Sequence, residues 1–491
     1  MVINKRVSTA VVFLLLIALT PSALPLATSA QQQPQRDRRV APADTASPSP
    51  TPTPSPVPAG TPQSSPTPAV TGTVTAATTR TLAELQGRII EVLRKPQLAP
   101  AMVGVKVTSL ETGKVLFEEN AHKLLRPASN MKLYTVAAGL DRLSPDYRIV
   151  TSVYVKEKPD NDGDVKGDLI IYGRGDPSLS ARFNNGDFFK GINDLAARIA
   201  GTGIKKVKGD LIGDESYFRG PPYGSGWEWE DLQWWYGAEV SSLTVNDNFV
   251  NLSVKPGSNV GAMAVATITP PDPLLRIDNR VTTSPRGTKE DLTVYRELAS
   301  DVLVLTGSIA LDDAGYSGRV AVSQPALLFA YLLRAALAER GVTISGKTRT
   351  ISSLSGNSMV PAPTTSAVAL ANVPRPLELT NMISAPFSAI AAQTLKPSQN
   401  LYTELILRTL GTQFPLPSTL PSLTRTSEGA GIEVVKAFLK EAGINPSSLV
   451  LNDGSGLSRG DMVTPEATLQ LLTYMRRHRY ATAFRDALPI A

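Results

Sequence analysis

The spacing of apolar residues changes several times along this 491-residue chain, and each change predicts a different element. Leu82, Leu85, Ile89 and Leu93 recur on one helical face directly after Thr81-Leu82-Ala83-Glu84, a capping-box pattern, and Pro96 ends that helix. Short apolar runs at 102–107 and 114–117 flank Glu111-Thr112-Gly113, which predicts an antiparallel hairpin. Residues 130–143 are largely apolar and helix-forming, as suits a buried helix. From about 148 to 380 the chain turns to short β-type runs such as 149–155 and 169–172, broken by Gly, Pro, Asn and Asp, with helices predicted at 188–199 and 324–338. After 381 the helical period returns at 399–410, 432–442 and 465–477, the last with Thr464 as N-cap and Pro465 in its first turn. Helical ends around a β-rich middle predict an α+β protein: one discontinuous domain, 81–147 with 381–491, interrupted by an insertion at 148–380.

The segment ahead of Thr81 has a different character. Residues 1–30 carry Lys5 and Arg6, an apolar run from Val11 to Leu19 and small residues up to Ala30, the pattern of a secretory signal peptide. The run is shorter than the roughly 20 apolar residues that span a bilayer, and Pro21 and Pro25 follow it; an uncleaved anchor is the alternative. Residues 31–80 contain eleven Pro, ten Thr and five Ser and no aromatic residue, so they read as a disordered, solvated linker. An export signal followed by a stalk implies work at the extracytoplasmic face of the cell envelope or in the periplasm, with peripheral or stalk-tethered membrane attachment as an option.

Composition narrows the chemistry. With no Cys, the chain has no thiol nucleophile, disulfide, Cys-ligated zinc or iron–sulfur site. His122 and His478 are its only His, too few and too far apart in sequence for a His-based metal centre, and they suit surface or packing roles. A net charge of +6 on so long a chain gives no argument for nucleic acid. No cofactor is called for. A hydroxyl nucleophile served by a Lys is still permitted, and Ser129-Asn130-Met131-Lys132 is the only Ser-x-x-Lys present. On a helix, positions i and i+3 share a face, so the amine can stand beside the hydroxyl. Burial would lower the Lys pKa toward a useful base, and the helix N-terminus favours developing negative charge. By spacing alone this motif is weak. Ser-x-Asn occurs twice, as Ser355-Gly356-Asn357 in a loop-like stretch and as Ser398-Gln399-Asn400 directly before an amphipathic helix.

Arg126-Pro127-Ala128-Ser129-Asn130-Met131-Lys132-Leu133-Tyr134-Thr135, followed by an Ala-rich helix, resembles the active-site helix of penicillin-recognising serine peptidases. The resemblance extends to Gly175-Asp176-Pro177-Ser178-Leu179, to 209–214, to 236–243 leading into Asn246-Asp247-Asn248, to Ser398-Gln399-Asn400 and to Asp453-Gly454-Ser455-Gly456-Leu457-Ser458-Arg459. In that order these motifs are similar to D-alanyl-D-alanine carboxypeptidases of the type-4 penicillin-binding protein group, whose catalytic domain of helices on an antiparallel sheet holds a large insertion. The resemblance implies that Ser129 attacks the penultimate D-alanine carbonyl, Lys132 takes its proton, and Ser398 relays a proton to the leaving amine. It also implies that Asn400 binds the substrate's peptide carbonyl and the Lys132 region. Peptidoglycan stem peptides ending in D-Ala-D-Ala are the implied substrates, with endopeptidase action as a further capacity and β-lactams as covalent inhibitors. Relatives also carry a Lys-Thr-Gly on a strand across the cleft; none occurs here, so the expectation is a chain cut short of that strand, with doubtful activity. A non-catalytic peptidoglycan-binding or scaffolding homologue is the alternative reading, and a β-lactamase a weaker one.

Two further patterns call for other readings. The segment 341–348 fits the phosphate-loop spacing, yet a helix precedes it and β character follows, the reverse of what the phosphate cradle requires. Trp227, Trp229, Trp234 and Trp235 are the only four Trp and are expected to be buried in the insertion's core or at a domain junction, with sugar stacking as the alternative.

Overall fold

Thr81 starts the first helix, α1 (Leu82–Leu93), through a reciprocal capping box: its side chain accepts from the Glu84 N–H at 3.2 Å, and Glu84 accepts from the Thr81 N–H at 3.0 Å. The computed structural model describes residues 81–353, 376–417 and 425–489, so the signal peptide and linker read at 1–80, and Ser355-Gly356-Asn357, lie outside the described residues. The described chain forms two compact units. The small one, 81–103 with 107–119, contains α1 and most of a hairpin, Val105–Thr108 paired with Val115–Glu119, turned by Gly113 at φ +71. Gln86 on α1 donates to the Leu116 carbonyl at 2.7 Å.

The large unit, 104–106 with 120–489, has two principal apolar cores. Its first helix is α2 (Met131–Leu143), of which only Asp141 and Arg142 escape full burial. The β-rich stretch contributes α3 (Lys190–Ala200) and α4 (Pro325–Ala338). There follow α5 (Phe387–Leu395), α6 (Asn400–Gln413), α7 (Ser427–Glu441), α8 (Pro465–Arg477) and α9 (Ala481–Ala487). α2 packs against α5, α6, α7 and α9, so one core is helical and draws on both ends of the chain. This explains why α2 is buried almost all round rather than along one stripe.

The second core lies under a five-stranded mixed sheet, in the order Thr348–Ile351, Leu211–Asp214, Leu169–Tyr172, Val150–Val155 and Leu377–Ile383. The first three strands run parallel, and the last two are each antiparallel to their neighbour. Leu169–Tyr172 and Leu211–Asp214 are buried throughout, as suits central strands. Strands Thr343–Ile344 and Thr348–Ile351 occupy the phosphate-loop pattern, so a strand follows where phosphate binding requires a helix.

Differences from the sequence reading have local causes. α7 begins at Ser427 rather than 432 because Thr426 accepts from the Gly429 N–H at 3.0 Å, and Gly429 and Gly431 mask the helix by their poor propensity. α5 and α9 are nine and seven residues long, too short for a clear period. The Trp cluster is not a buried core: Trp229 is 59% exposed, and the other three are half-buried around short 3₁₀ turns.

Candidate active site

A 3₁₀ turn, Ala128–Asn130, leads directly into α2, so Ser129 stands exposed one turn before the buried Lys132. Lys132 Nζ donates to Ser129 Oγ at 3.1 Å and to the Ser455 carbonyl at 2.9 Å. From the α5–α6 junction, Ser398 Oγ lies 2.8 Å from Ser129 Oγ. Pro397 precedes it, and Ser398 takes φ +59, a left-handed conformation that a non-glycine residue keeps only when its surroundings fix it. Thus three of the four residues singled out from the sequence meet at one oxygen.

Asn400, in the first turn of α6, is nearby in sequence but bonded elsewhere: its Nδ2 donates to the Tyr236 carbonyl at 2.8 Å. The tie expected from Asn400 toward Lys132 is made instead by the Ser455 carbonyl.

Burial pushes the Lys132 ammonium down to about 8, against the pull of Asp453 and Glu404, which favour the charged form. That amine is therefore far closer to neutral-pH titration than a solvated Lys. The loop that receives it is tightly organised. Asp453 accepts the backbone N–H groups of Ser455 (3.1 Å), Gly456 (2.7 Å), Leu457 (3.1 Å) and Ser458 (3.0 Å), the Ser455 hydroxyl (3.0 Å) and the Trp227 indole N–H (2.7 Å). Gly454 donates its N–H to Glu404 at 3.0 Å, and its carbonyl accepts from Thr135, one turn beyond Lys132, at 2.9 Å. Burial, reinforced by the neighbouring Asp453 carboxylate, raises the Asp461 carboxyl to about 8. The motif at 453–459 is legible in the sequence, but the parts played by Asp453, Ser455, Glu404 and Asp461 are not. Asp followed by Gly and Ser is the available signal, since such an Asp accepts from the N–H groups just ahead of it.

Among the described residues no group of His, Cys, Asp and Glu is arranged to hold a metal ion. What the cluster offers is a hydroxyl nucleophile with an amine and a second hydroxyl in contact, the arrangement that acyl transfer to serine requires.

A family model described as the D-Ala-D-Ala carboxypeptidase 3 (S13) family matches residues 85–491. The chain belongs to this family. It is 32% identical over 416 residues to the D-alanyl-D-alanine carboxypeptidase of Actinomadura sp. (strain R39), covering 84% of this chain and 71% of the relative. With the D-alanyl-D-alanine carboxypeptidase DacB of Haemophilus influenzae it shares 23% identity over 398 residues, 79% of this chain and 74% of the relative. Its fold is similar to the crystal structure of penicillin binding protein 4 (DacB) from Haemophilus influenzae, with a TM-score of 0.65 at 22% identity, covering 79% of this chain and 78% of that one. S13 membership agrees with the resemblance drawn from the motif order, and the likeness of fold agrees with the α+β reading.

Proposed function

We propose that this serine carboxypeptidase releases the terminal D-alanine from peptidoglycan stem peptides through an acyl-enzyme on Ser129. The observation that carries the assignment is the double contact at Ser129 Oγ, with Lys132 Nζ at 3.1 Å and Ser398 Oγ at 2.8 Å. Neutral Lys132 takes the Ser129 proton as Oγ bonds to the penultimate D-alanine carbonyl carbon. The peptide C–N bond then breaks as a proton passes through Ser398 to the departing amine. Water attacks the ester, returning Ser129 and releasing the shortened peptide. The Ser129 N–H, in the 3₁₀ turn just ahead of α2, is the natural donor to the oxyanion. Asn400 orients the substrate's peptide carbonyl from the first turn of α6. β-lactams acylate the same oxygen, because their strained amide presents a comparable carbonyl.

The residues 81–147 and 381–491 form the catalytic domain in this reading, with 148–380 inserted. Residues 1–30 direct export and 31–80 give reach toward the wall. Among the described residues no helix is long and apolar enough to cross a membrane. D-alanine release from a synthetic stem peptide ending in D-Ala-D-Ala tests the roles. Lys132→Ala and Ser398→Ala are each expected to lower kcat/KM by about 10²- to 10⁴-fold with the fold intact. A Lys132→Ala protein within a few-fold of the parent overturns the base assignment.

A further inference from the structure

Asn246, Asp247 and Asn248 stand at φ +48, +56 and +54, three consecutive non-glycine residues in the left-handed region that such residues visit singly. Asn and Asp bear this best because their short side chains bond nearby backbone. Asn248 Oδ1 accepts from the Val245 N–H at 3.1 Å while its Nδ2 donates to the Glu239 carbonyl at 2.8 Å, and Asn246 Nδ2 donates to the Phe188 carbonyl at 2.8 Å. Both Asn are thereby committed to holding the turn. The Asp247 carboxylate between them instead meets the start of α6. It accepts from Gln399 Nε2 at 3.3 Å, from the Tyr402 hydroxyl and from Arg182 Nε at 2.5 Å.

Those partners bracket the candidate site. Gln399 lies between Ser398 and Asn400, and its Oε1 caps α6 by accepting from the Leu401 N–H at 3.1 Å, so this side chain is held at both ends. Tyr402, also touched by the Ser180 hydroxyl at 3.0 Å, follows two residues after Asn400. Gln399 and Tyr402 are fully buried and Asp247 is 3% exposed, so water does not compete for these bonds. Burial beside Asp247 keeps the Tyr402 phenol protonated well beyond its ordinary range, and it remains a donor. Ser398, at φ +59, needs such fixing.

We propose that Asp247 is a positioning residue for Ser398: its carboxylate, holding Gln399 and Tyr402 on either side of Asn400, fixes the strained backbone that keeps Ser398 Oγ against Ser129 Oγ. This rests on the roles assigned to Ser129 and Ser398 above. The strained turn in the β-rich middle is then part of the machinery rather than a spacer.

The test is the second-order rate of acylation by a fluorescent penicillin, in the full chain, with the labelled fraction at saturation measured separately. Asp247→Asn is expected to slow acylation about tenfold while the saturating fraction stays that of the parent. Combined with Ser398→Ala it should add less than about twofold, since it acts through Ser398. A rate within about twofold of the parent, or the full loss persisting on top of Ser398→Ala, overturns the proposal, the latter being the mark of a general defect. If Asp247→Asn does not fold, Tyr402→Phe removes one bond and keeps Arg182 paired; it is judged by the same two criteria with about a threefold loss expected. Equal labelling of the parent and Ser129→Ala is a separate result, which overturns the Ser129 assignment and this inference with it.

Discussion

At Gly456 the loop that carries Ser455 passes so close to the nucleophile turn that an added Cβ would lie 1.9 Å from the Ala128 carbonyl oxygen, and the residue stands at φ +79. No side chain fits there without moving one of the two backbones. Gly456→Ala should therefore cost about 3 kcal/mol of stability, read as a lowered Tm, and slow acylation by parting Lys132 from Ser129. An unchanged Tm would mean that the loop does not set the site. Lys132 gives a second prediction at this scale. In the proposed mechanism its neutral form is the base, and burial brings its pKa down to about 8. The acylation rate should then rise about tenfold per pH unit below that value and level off above it. A profile flat from pH 6 to 9 would contradict a Lys132 base. The local half of this arrangement was legible, because Ser129 and Lys132 are three positions apart on one turn and the residues around them, 126–135, carry the resemblance that singles the pair out. The carbonyl that receives Lys132 was not, since a main-chain oxygen at Ser455 leaves no mark in the residue types.

Where α6 and α7 cross, both helices use glycine. A Cβ on Gly411 would meet the Ser427 carbonyl oxygen at 2.1 Å, and one on Gly431 would meet that of Leu407 at 2.1 Å. The helices are thus in backbone contact, and α6 carries Asn400 at its start and Glu404 one turn on, under the Asp453 loop. Gly431→Ala should force them apart at a cost of about 1–3 kcal/mol, visible in thermal unfolding. It should also reduce acylation, because Gln399 and Asn400 move with the helix; full stability and activity would refute the close crossing as a constraint. Gly431, together with Gly429, hid the first turn of α7 from the sequence, where propensity argues against a helix that packing supplies. Pro465–Arg477 was legible to its ends because Thr464 accepts from the Ala467 N–H and Pro465 opens the helix, both local signals.

Across the whole chain, a segment little more than twenty residues long ties the β-rich middle to the candidate site at three points. Trp227 donates to Asp453, the Tyr236 carbonyl receives Asn400, and Asp247 receives Gln399. None of these ties was legible, although the motifs holding 236–243, Asn246-Asp247-Asn248 and Asp453-Gly454-Ser455 were, because pairing across 152 to 226 residues depends on topology rather than spacing. The order of the motifs sufficed for the family, and the α+β class followed from the change of period along the chain. The predictions on activity all depend on Ser129 being the acylated nucleophile. The most direct measurement is covalent labelling by a fluorescent penicillin, with the modified peptide located by mass spectrometry. One adduct on Ser129 is expected in the parent chain and none in Ser129→Ala at equal folded concentration; an adduct of equal yield in the variant, or one mapped to another residue, would overturn the Ser129 assignment.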